Sequence, residues 1–244
     1  MIYRFLFLLF VLSSHDFINA QSAGAVVKED SILKIQKISD FEVTGDGTSQ
    51  NWESAKWITL PQRKNDGAVY QTQMKLLYSD EGIYCLFKCD DKKITATLKG
   101  DFLDIYNEDV VEVFFWTDEK MPVYFEYELS PLNYELPILV PNNKGDFFGW
   151  RPWHYEGNRR TRHATRINMN KKENAADEIT FWTAEFFIPF ALLKPMANVP
   201  PKKGTQWRAN FCRIDYDNGR STWSWQKTRT SFHDYEKFGT VLFE

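Results

Sequence analysis

Short apolar–polar runs closed by turn signals organise this chain. Residues 71–78 lead into Ser79-Asp80-Glu81-Gly82, and residues 83–89 return, which is the pattern of a β-hairpin. The centre repeats it. Residues 109–116 are strongly apolar around Glu112, and residues 117–120 are a turn. Residues 123–129 are the partner strand, with Glu126 and Glu128 on one face. Further strands are predicted at 161–167, 179–188 and 206–215. Residues 51–57 read as a short helical turn entering a strand, and Pro189 to Leu193 as a short helix leaving one. Long helical periodicity is absent. The pattern predicts an all-β chain, an antiparallel β-sandwich of immunoglobulin-like or jelly-roll type with few short helices. Residues 135–160 hold several Pro and Gly together with Trp150 and Trp153, and read as a long lid-like insertion. No domain linker and no internal repeat interrupts the rest.

The N-terminus reads differently. Arg4 precedes the apolar run Phe5 to Leu12, and Asn19-Ala20 before Gln21 offers a cleavage point. The run is too short to span a bilayer. The expected organisation is a signal peptide at 1–20, a small polar leader at 21–39 and one domain at 40–244. A secreted or periplasmic protein follows, with no Cys near the cleavage point to carry a lipid. The chain has 244 residues, 43% of them hydrophobic, which suffices for one large domain. Aromatics reach 16%, which suits pleated surfaces. The net charge of −3 gives no electrostatic case for nucleic acid or an anionic membrane. Cys85 and Cys89 lie on one face of a predicted strand, roughly 13 Å apart, too far to pair with each other. Cys212 bridging one of them stays open, but three buried thiols acting as small hydrophobes is the preferred reading.

The last thirty residues alternate large rings with hydrogen-bonding groups in a loop-like context. A sugar-binding surface needs this, because sugar rings present apolar C–H faces and polar hydroxyls. A packed core beside a solvated loop gives the same composition. Asp109, Glu112 and Glu128 are carboxylates in or beside apolar strands, where such groups need partners. Ion pairs with Arg162, Arg208 or Arg213 are the first reading, contacts to sugar hydroxyls the second, and a glycosidase acid–base pair the third. Trp223 and Trp225 share one strand face, as core or as a wall of a site. Trp150 and Trp153 are the more exposed candidates. His233 and His163 are candidate general bases, although no triad is evident. A Met74–His163 haem ligand pair rests on fold analogy alone. Asp90, Asp91, Asp101, Asp104, Asp215 and Asp217 offer oxygen ligands for calcium, or are ordinary turn residues.

Five ordered segments resemble the family 9 carbohydrate-binding module and its stand-alone relatives. They are Asp46-Gly47 with Trp52 and Ala55; Leu76 to Tyr84 followed by Asp90-Asp91; Tyr106 to Phe115, similar to an aromatic-x-x-Asp-x-Val-Glu-x-Phe signature; Phe181 to Phe190; and Ser231-Phe232-His233 with Phe238-Gly239. The resemblance covers residues 40–244. It implies a non-catalytic, monomeric sandwich that holds a sugar of a plant-type polysaccharide or oligosaccharide between two aromatic rings, here Tyr106 and Phe232. The positions are Trp in sugar-gripping members, and Tyr235 stands where relatives often carry Pro. Glu112, Glu128, Trp223, His233 and Arg213 are the expected polar and aromatic neighbours of the ligand. Structural calcium is common in the family, which points to Asp90, Asp91, Asp215 and Asp217; no organic cofactor is implied. The alternative is a glycoside hydrolase or lyase on the same sandwich.

Overall fold

In the computed structural model, residues 32–67, 69–144, 146–153, 156–172 and 176–244 are described. The expected signal peptide lies outside them. The first strands are β1 (Leu33–Lys37), β2 (Ile58–Thr59), β3 (Gln62–Lys64), β4 (Thr72–Tyr78), β5 (Gly82–Asp90), β6 (Val110–Trp116) and β7 (Val123–Leu129). Then come β8 (Glu135–Asn143), β9 (Asp146–Phe147), β10 (Arg151–Pro152), β11 (Arg162–Asn170) and β12 (Glu178–Pro189). The chain ends with β13 (Gln206–Asp215), β14 (Ser221–Ser224) and β15 (Gly239–Phe243). The predicted helical pieces are a 3₁₀ turn at Gln50–Ser54 and a helix, α1, at Phe190–Leu193.

Two layers result. One sheet runs β10-β8-β7-β6-β13-β15, with β14 beside β13 and β3 beyond it. The other runs β4-β5-β12-β11, with β2 on β4. These pairs are antiparallel. β1 is the parallel exception and joins the sheets: Leu33 to Ile35 pair with β15, and Gln36 and Lys37 pair with β4. Residues 33–37, expected in the leader, are therefore part of the domain. Their only buried side chain is Ile35, so the strand leaves little hydrophobic signal.

Alternation fixes what each face does. Val111, Val113 and Phe115 of β6, with Phe125, Tyr127 and Leu129 of β7, point between the sheets. They meet Phe87, Cys85, Cys89, Trp182 and Phe186 from the second sheet. Each such ring or branched chain removed from water contributes about 1.5–3 kcal/mol. All three cysteines are free and buried, as expected, and burial raises the Cys85 and Cys212 thiols far above their ordinary range. Val110, Phe114, Tyr124, Leu136 and Ile138 point the other way, where Tyr235 and Phe238 of the closing segment cover them. Both faces of β6 are thus buried, and so its whole sequence reads apolar. Glu112, Glu126 and Glu128 lie on this outer, covered face.

The insertion expected from 135 begins as an ordered strand. Leu136, Ile138 and Val140 alternate onto the outer face, and β8 pairs along β7 from Val123↔Pro141 to Leu129↔Glu135. Pro137 and Pro141 obscured that alternation, because proline argues against a strand interior. The irregular part is confined to the residues after 143.

Several motif residues are scaffold. Glu185 is fully buried and accepts from the Gly45 N–H at 2.7 Å, the Thr44 N–H at 3.1 Å and the Trp52 indole at 2.9 Å. It ties the opening segment to β12. Gly45 has φ +85°, and a Cβ there would lie 2.9 Å from the Ala164 backbone, so only glycine fits the turn. Gly239 is needed for space: a Cβ would lie 2.5 Å from the Trp225 ring.

Candidate functional site

A cavity of about 740 Å³ opens on the outer face of the first sheet. Its floor is set by strand register. Glu112 of β6 stands directly opposite Glu128 of β7, and Glu126 is two residues along on the same face. The three carboxyls therefore crowd one patch, and all three side chains line the cavity. Burial pushes the Glu112 carboxyl up to about 8, with Arg220 pulling the other way. Burial also raises Glu126 and Glu128 well above the ordinary range. Neighbouring carboxylates add to this, Glu112 acting on Glu126, and both acting on Glu128. The Glu126 and Glu128 carboxyls act on each other, and Oε2 of each has no hydrogen-bond partner. At neutral pH the floor is a set of carboxylic acids that can donate as well as accept.

The walls are aromatic. Tyr106 sits in a 3₁₀ turn at Ile105–Asn107, half-buried. Its hydroxyl donates to Asp104 and accepts from the Trp150 indole, so the ring is held from two sides. The same turn is anchored below by Asp109, which accepts from the Thr95 N–H at 2.5 Å and the Tyr216 N–H at 2.9 Å. Burial raises Asp109 to about 8 against those hydrogen bonds. Phe232 and His233 come from the segment before β15, which is tightly tied. Arg229 grips Asp234 through its backbone N–H, Nε and Nη2 at 3.0, 2.8 and 2.7 Å. The Asn142 side-chain amide donates to the His233 carbonyl at 3.0 Å, and the Lys144 N–H to the Tyr235 hydroxyl at 2.9 Å. Tyr235, where relatives often carry Pro, therefore fastens β8 to the closing segment. The His233 ring shares a hydrogen bond with the Tyr124 hydroxyl at 2.7 Å, with Glu126 Oε2 at 3.6 Å. Burial lowers its pKa to about 4, so the ring is neutral at physiological pH. Phe147 of β9 stacks on it, centroids 4.3 Å apart.

The structure therefore brings Tyr106, Phe232, Glu112, Glu128 and His233 around one cavity, and adds three groups the sequence did not single out as ligands: Glu126, Phe147 and Tyr216. Glu126 was legible as the i−2 neighbour of Glu128. Phe147 carried no signal, because β9 pairs only with a strand hidden by prolines. Trp150, noted for its setting, lines the cavity too; Trp153 instead donates its indole N–H to the Leu192 carbonyl at 2.6 Å.

Trp223 and Arg213 do not reach the cavity. Trp223 is buried in the inter-sheet core with Trp225, and donates to the Tyr70 carbonyl at 3.0 Å. Arg213 is fully buried and lies 4.8 Å over the Trp223 ring. Odd-numbered positions of β13 up to 213 face inward, opposite to Cys212 and Ile214, so neither residue can share a face with Glu112. Arg213 does not pair with Asp109, Glu112 or Glu128. It bridges Asp91 at 3.0 Å and Asp215 at 2.5 Å, and donates to the Asp90 carbonyl at 2.8 Å. Arg162 instead bonds the Tyr84 hydroxyl, and Arg208 the Phe238 carbonyl. His163 bonds Asn133 Oδ1 at 2.9 Å, while Met74 is a core side chain.

Calcium has one candidate seat among the described residues. Carboxylate oxygens of Asp91, Asp215 and Asp217 lie within 4.8 Å of one another, while Asp90 contributes its backbone. The donor set fits a divalent ion poorly, because the Arg213 guanidinium already supplies a cation to two of the three carboxylates. Asp217 is engaged by the Tyr70 hydroxyl at 2.9 Å.

Sandwich, aromatic walls and acid floor together define a ligand-binding β-sandwich module. The sequence matches the family described as carbohydrate family 9 binding domain-like over residues 43–244, and the chain belongs to that family. Solved structures share the fold. A candidate carbohydrate-binding protein from Bacteroides uniformis superposes with a TM-score of 0.69 at 16% identity, covering 87% of this chain and 98% of that one. A family 9 module from Caldicellulosiruptor kristjanssonii in complex with cellotriose gives 0.61 at 13% identity, covering 88% and 94%. The same organism's module in complex with glucose gives 0.59 at 14%, covering 86% and 95%. Among curated protein sequences none matches this chain significantly.

Proposed function

We propose that this chain is an exported, non-catalytic carbohydrate-binding protein that holds a sugar of an oligosaccharide or polysaccharide between Tyr106 and Phe232. The observation that carries the reading is one cavity lined by both rings over a floor of three carboxyls. Half-exposed rings offer the sugar's C–H faces an apolar surface, and protonated acids serve its hydroxyls as donors and acceptors. Membership of the family and the cellotriose and glucose complexes of its structural neighbours support the ligand class. Export rests on the apolar run after Arg4, and no helix among the described residues is long and apolar enough to cross a membrane.

Catalysis is disfavoured by direction. A glycosidase needs two carboxyls flanking the scissile bond, whereas directly opposed side chains of neighbouring strands rise from one sheet face, about 4.5–5.5 Å apart at Cβ. Glu112, Glu126 and Glu128 would all approach a sugar from below.

Tyr106→Ala and Phe232→Ala test the reading, with cellotriose affinity and melting temperature measured for each. Removing one stacking face should lose about 1–3 kcal/mol of binding, a weakening of roughly tenfold to a hundredfold. Melting should change much less, since both rings are only half-buried. Intact binding in both variants, or reducing-sugar release by the wild type, would sink the proposal.

A further inference from the structure

A neutral sugar does not explain why the floor holds three acids. Hydroxyls both donate and accept, and amide side chains serve them without burying an ionisable group. Here Glu112 and Glu128 face each other across a strand pair, and Glu126 joins them on the same face. All three are almost wholly buried, and Oε2 of Glu126 and of Glu128 accepts no hydrogen bond. Buried carboxyls in such a row stay protonated until a cation reaches them.

Most of the cations lining the cavity are turned to other work, and Lys227 is exposed. Arg63 donates to the Ser224 and Trp225 carbonyls at 3.2 and 3.0 Å. Lys64 pairs with Asp66, and Arg229 with Asp234 and Glu236. Arg220 acts on Glu112. Glu126 meets the neutral His233 ring at 3.6 Å, and Glu128 answers to burial and to other carboxyls. The walls above them are aromatic: Tyr106, Trp150, Phe147 and Phe232. A ring face attracts a cation. An ammonium has three N–H donors and no acceptor, the complement of carboxyls that release their protons to solvent as it binds.

Resting on the carbohydrate reading, we infer that the cavity is built for an amino sugar, with the protonated amine seated on Glu126 and Glu128 and the sugar ring between the aromatic walls. Glu112, already opposed by Arg220, is left to the neighbouring hydroxyls.

Calorimetry on the purified domain-bearing chain tests this with three trisaccharides under mildly acidic conditions: the glucosamine trimer, its fully N-acetylated counterpart, and cellotriose. The glucosamine trimer should bind about tenfold or more tighter than the other two, the ratio supplied by ~1.4 kcal/mol, near the low end for a hydrogen bond to a charged group. In the Glu126→Gln/Glu128→Gln double variant that ratio should fall towards one. Circular dichroism confirms that the double variant is folded; if it is not, Glu128→Gln alone replaces it. If cellotriose or the acetylated trimer binds as tightly as the amine, the amino-sugar inference is overturned and the carbohydrate reading stands. Preference for the amine that survives in the folded variant also overturns the inference, because attraction to a net negative protein then explains it. Failure of all three sugars to bind overturns both.

Discussion

Buried acids make an unusual demand on the pH dependence of stability. Glu112 is fully buried, and its carboxyl rises from 4.5 to about 8. Glu126 and Glu128 rise by the same mechanism. Between the unfolded and folded values the native state holds protons that the unfolded chain has released. Stability therefore falls as pH rises through that window. The contribution is complete below about 4.5 and is lost through about 8. His233 works in the opposite sense below its ordinary value of 6.5, because it is held neutral down to about 4. The clean window is thus from neutrality upwards.

At about 1.4 kcal/mol per unit, the full Glu112 displacement corresponds to roughly 5 kcal/mol. The floor opens onto a cavity that water reaches, and relaxation absorbs part of this, leaving about 2–3 kcal/mol as the working figure. Only the last unit of that displacement falls between neutral pH and about pH 9, so Glu112 alone loses about 1 kcal/mol there, a fall in melting temperature of about 2–4 °C for a chain of this size. Thermal melts followed by circular dichroism across that range measure it. Glu128→Gln keeps the shape of the protonated acid and cannot ionise, so its curve should be flatter and its melting temperature higher than wild type at alkaline pH. Some slope should persist, because burial also raises Asp109 to about 8 and Asp91 to about 7. A melting temperature that climbs with pH across the window, or a Glu128→Gln curve parallel to wild type, would refute the reasoning.

Other features make their own demands. Arg213→Ala leaves Asp91 and Asp215 buried without their cation, and should destabilise by about 3–5 kcal/mol in denaturant titration. Excess chelator, by contrast, should leave the wild-type melting temperature unchanged; a clear fall would restore calcium to the acidic cluster. Glu185→Ala strips the acceptor from five donors on four residues of the opening segment, Thr44, Gly45, Gly47 and Trp52, and at about 1–3 kcal/mol for a buried group left unsatisfied it should lower stability without altering sugar affinity. Mass spectrometry of the exported product should show a mature start near Gln21; retention of Met1 would exclude cleavage.

What the sequence revealed and what it hid follow from one physical distinction. A strand signal was visible wherever a run carried its own apolar residues, as in β4 to β7, β12 and β13. It was invisible where a strand borrowed stability from neighbours. β1 buries only Ile35, and β8 interrupts its pattern with Pro137 and Pro141, yet both are held by pairing on two sides. The candidate site divides the same way. Glu112 and Glu128 were legible because an acid in an apolar strand needs a reason. Tyr106 and Phe232 were legible only through the family resemblance, since a ring in a loop packs as often as it binds. Trp223 and Arg213 looked equally plausible, but the face on which a residue lies cannot be read without knowing which sheet face is covered. In this protein both faces of β6 and β13 are covered, so inward and outward positions look alike in sequence.

That double cover also places the chemistry. A sheet with one solvated face would let three glutamates ionise into water, and they would recognise little. The closing segment, pinned by Arg229 to Asp234 and by Asn142 to the His233 carbonyl, roofs the outer face of β6 and β7. Phe147, Trp150 and Tyr106 complete the wall around the floor. The residues after 143, which look like decoration on a compact sandwich, supply two of those rings. They take the glutamates out of bulk water, keep them protonated when the cavity is empty, and make their charge available to a ligand that brings a cation. Shortening the 144–149 segment to a tight turn should therefore do more than remove a ring. It should let the floor carboxyls return toward their ordinary range, flatten the alkaline loss of stability, and weaken sugar binding together. Loss of binding with an unchanged pH profile would mean that the rings act only as stacking surface, and that the floor is kept dry by the closing segment alone.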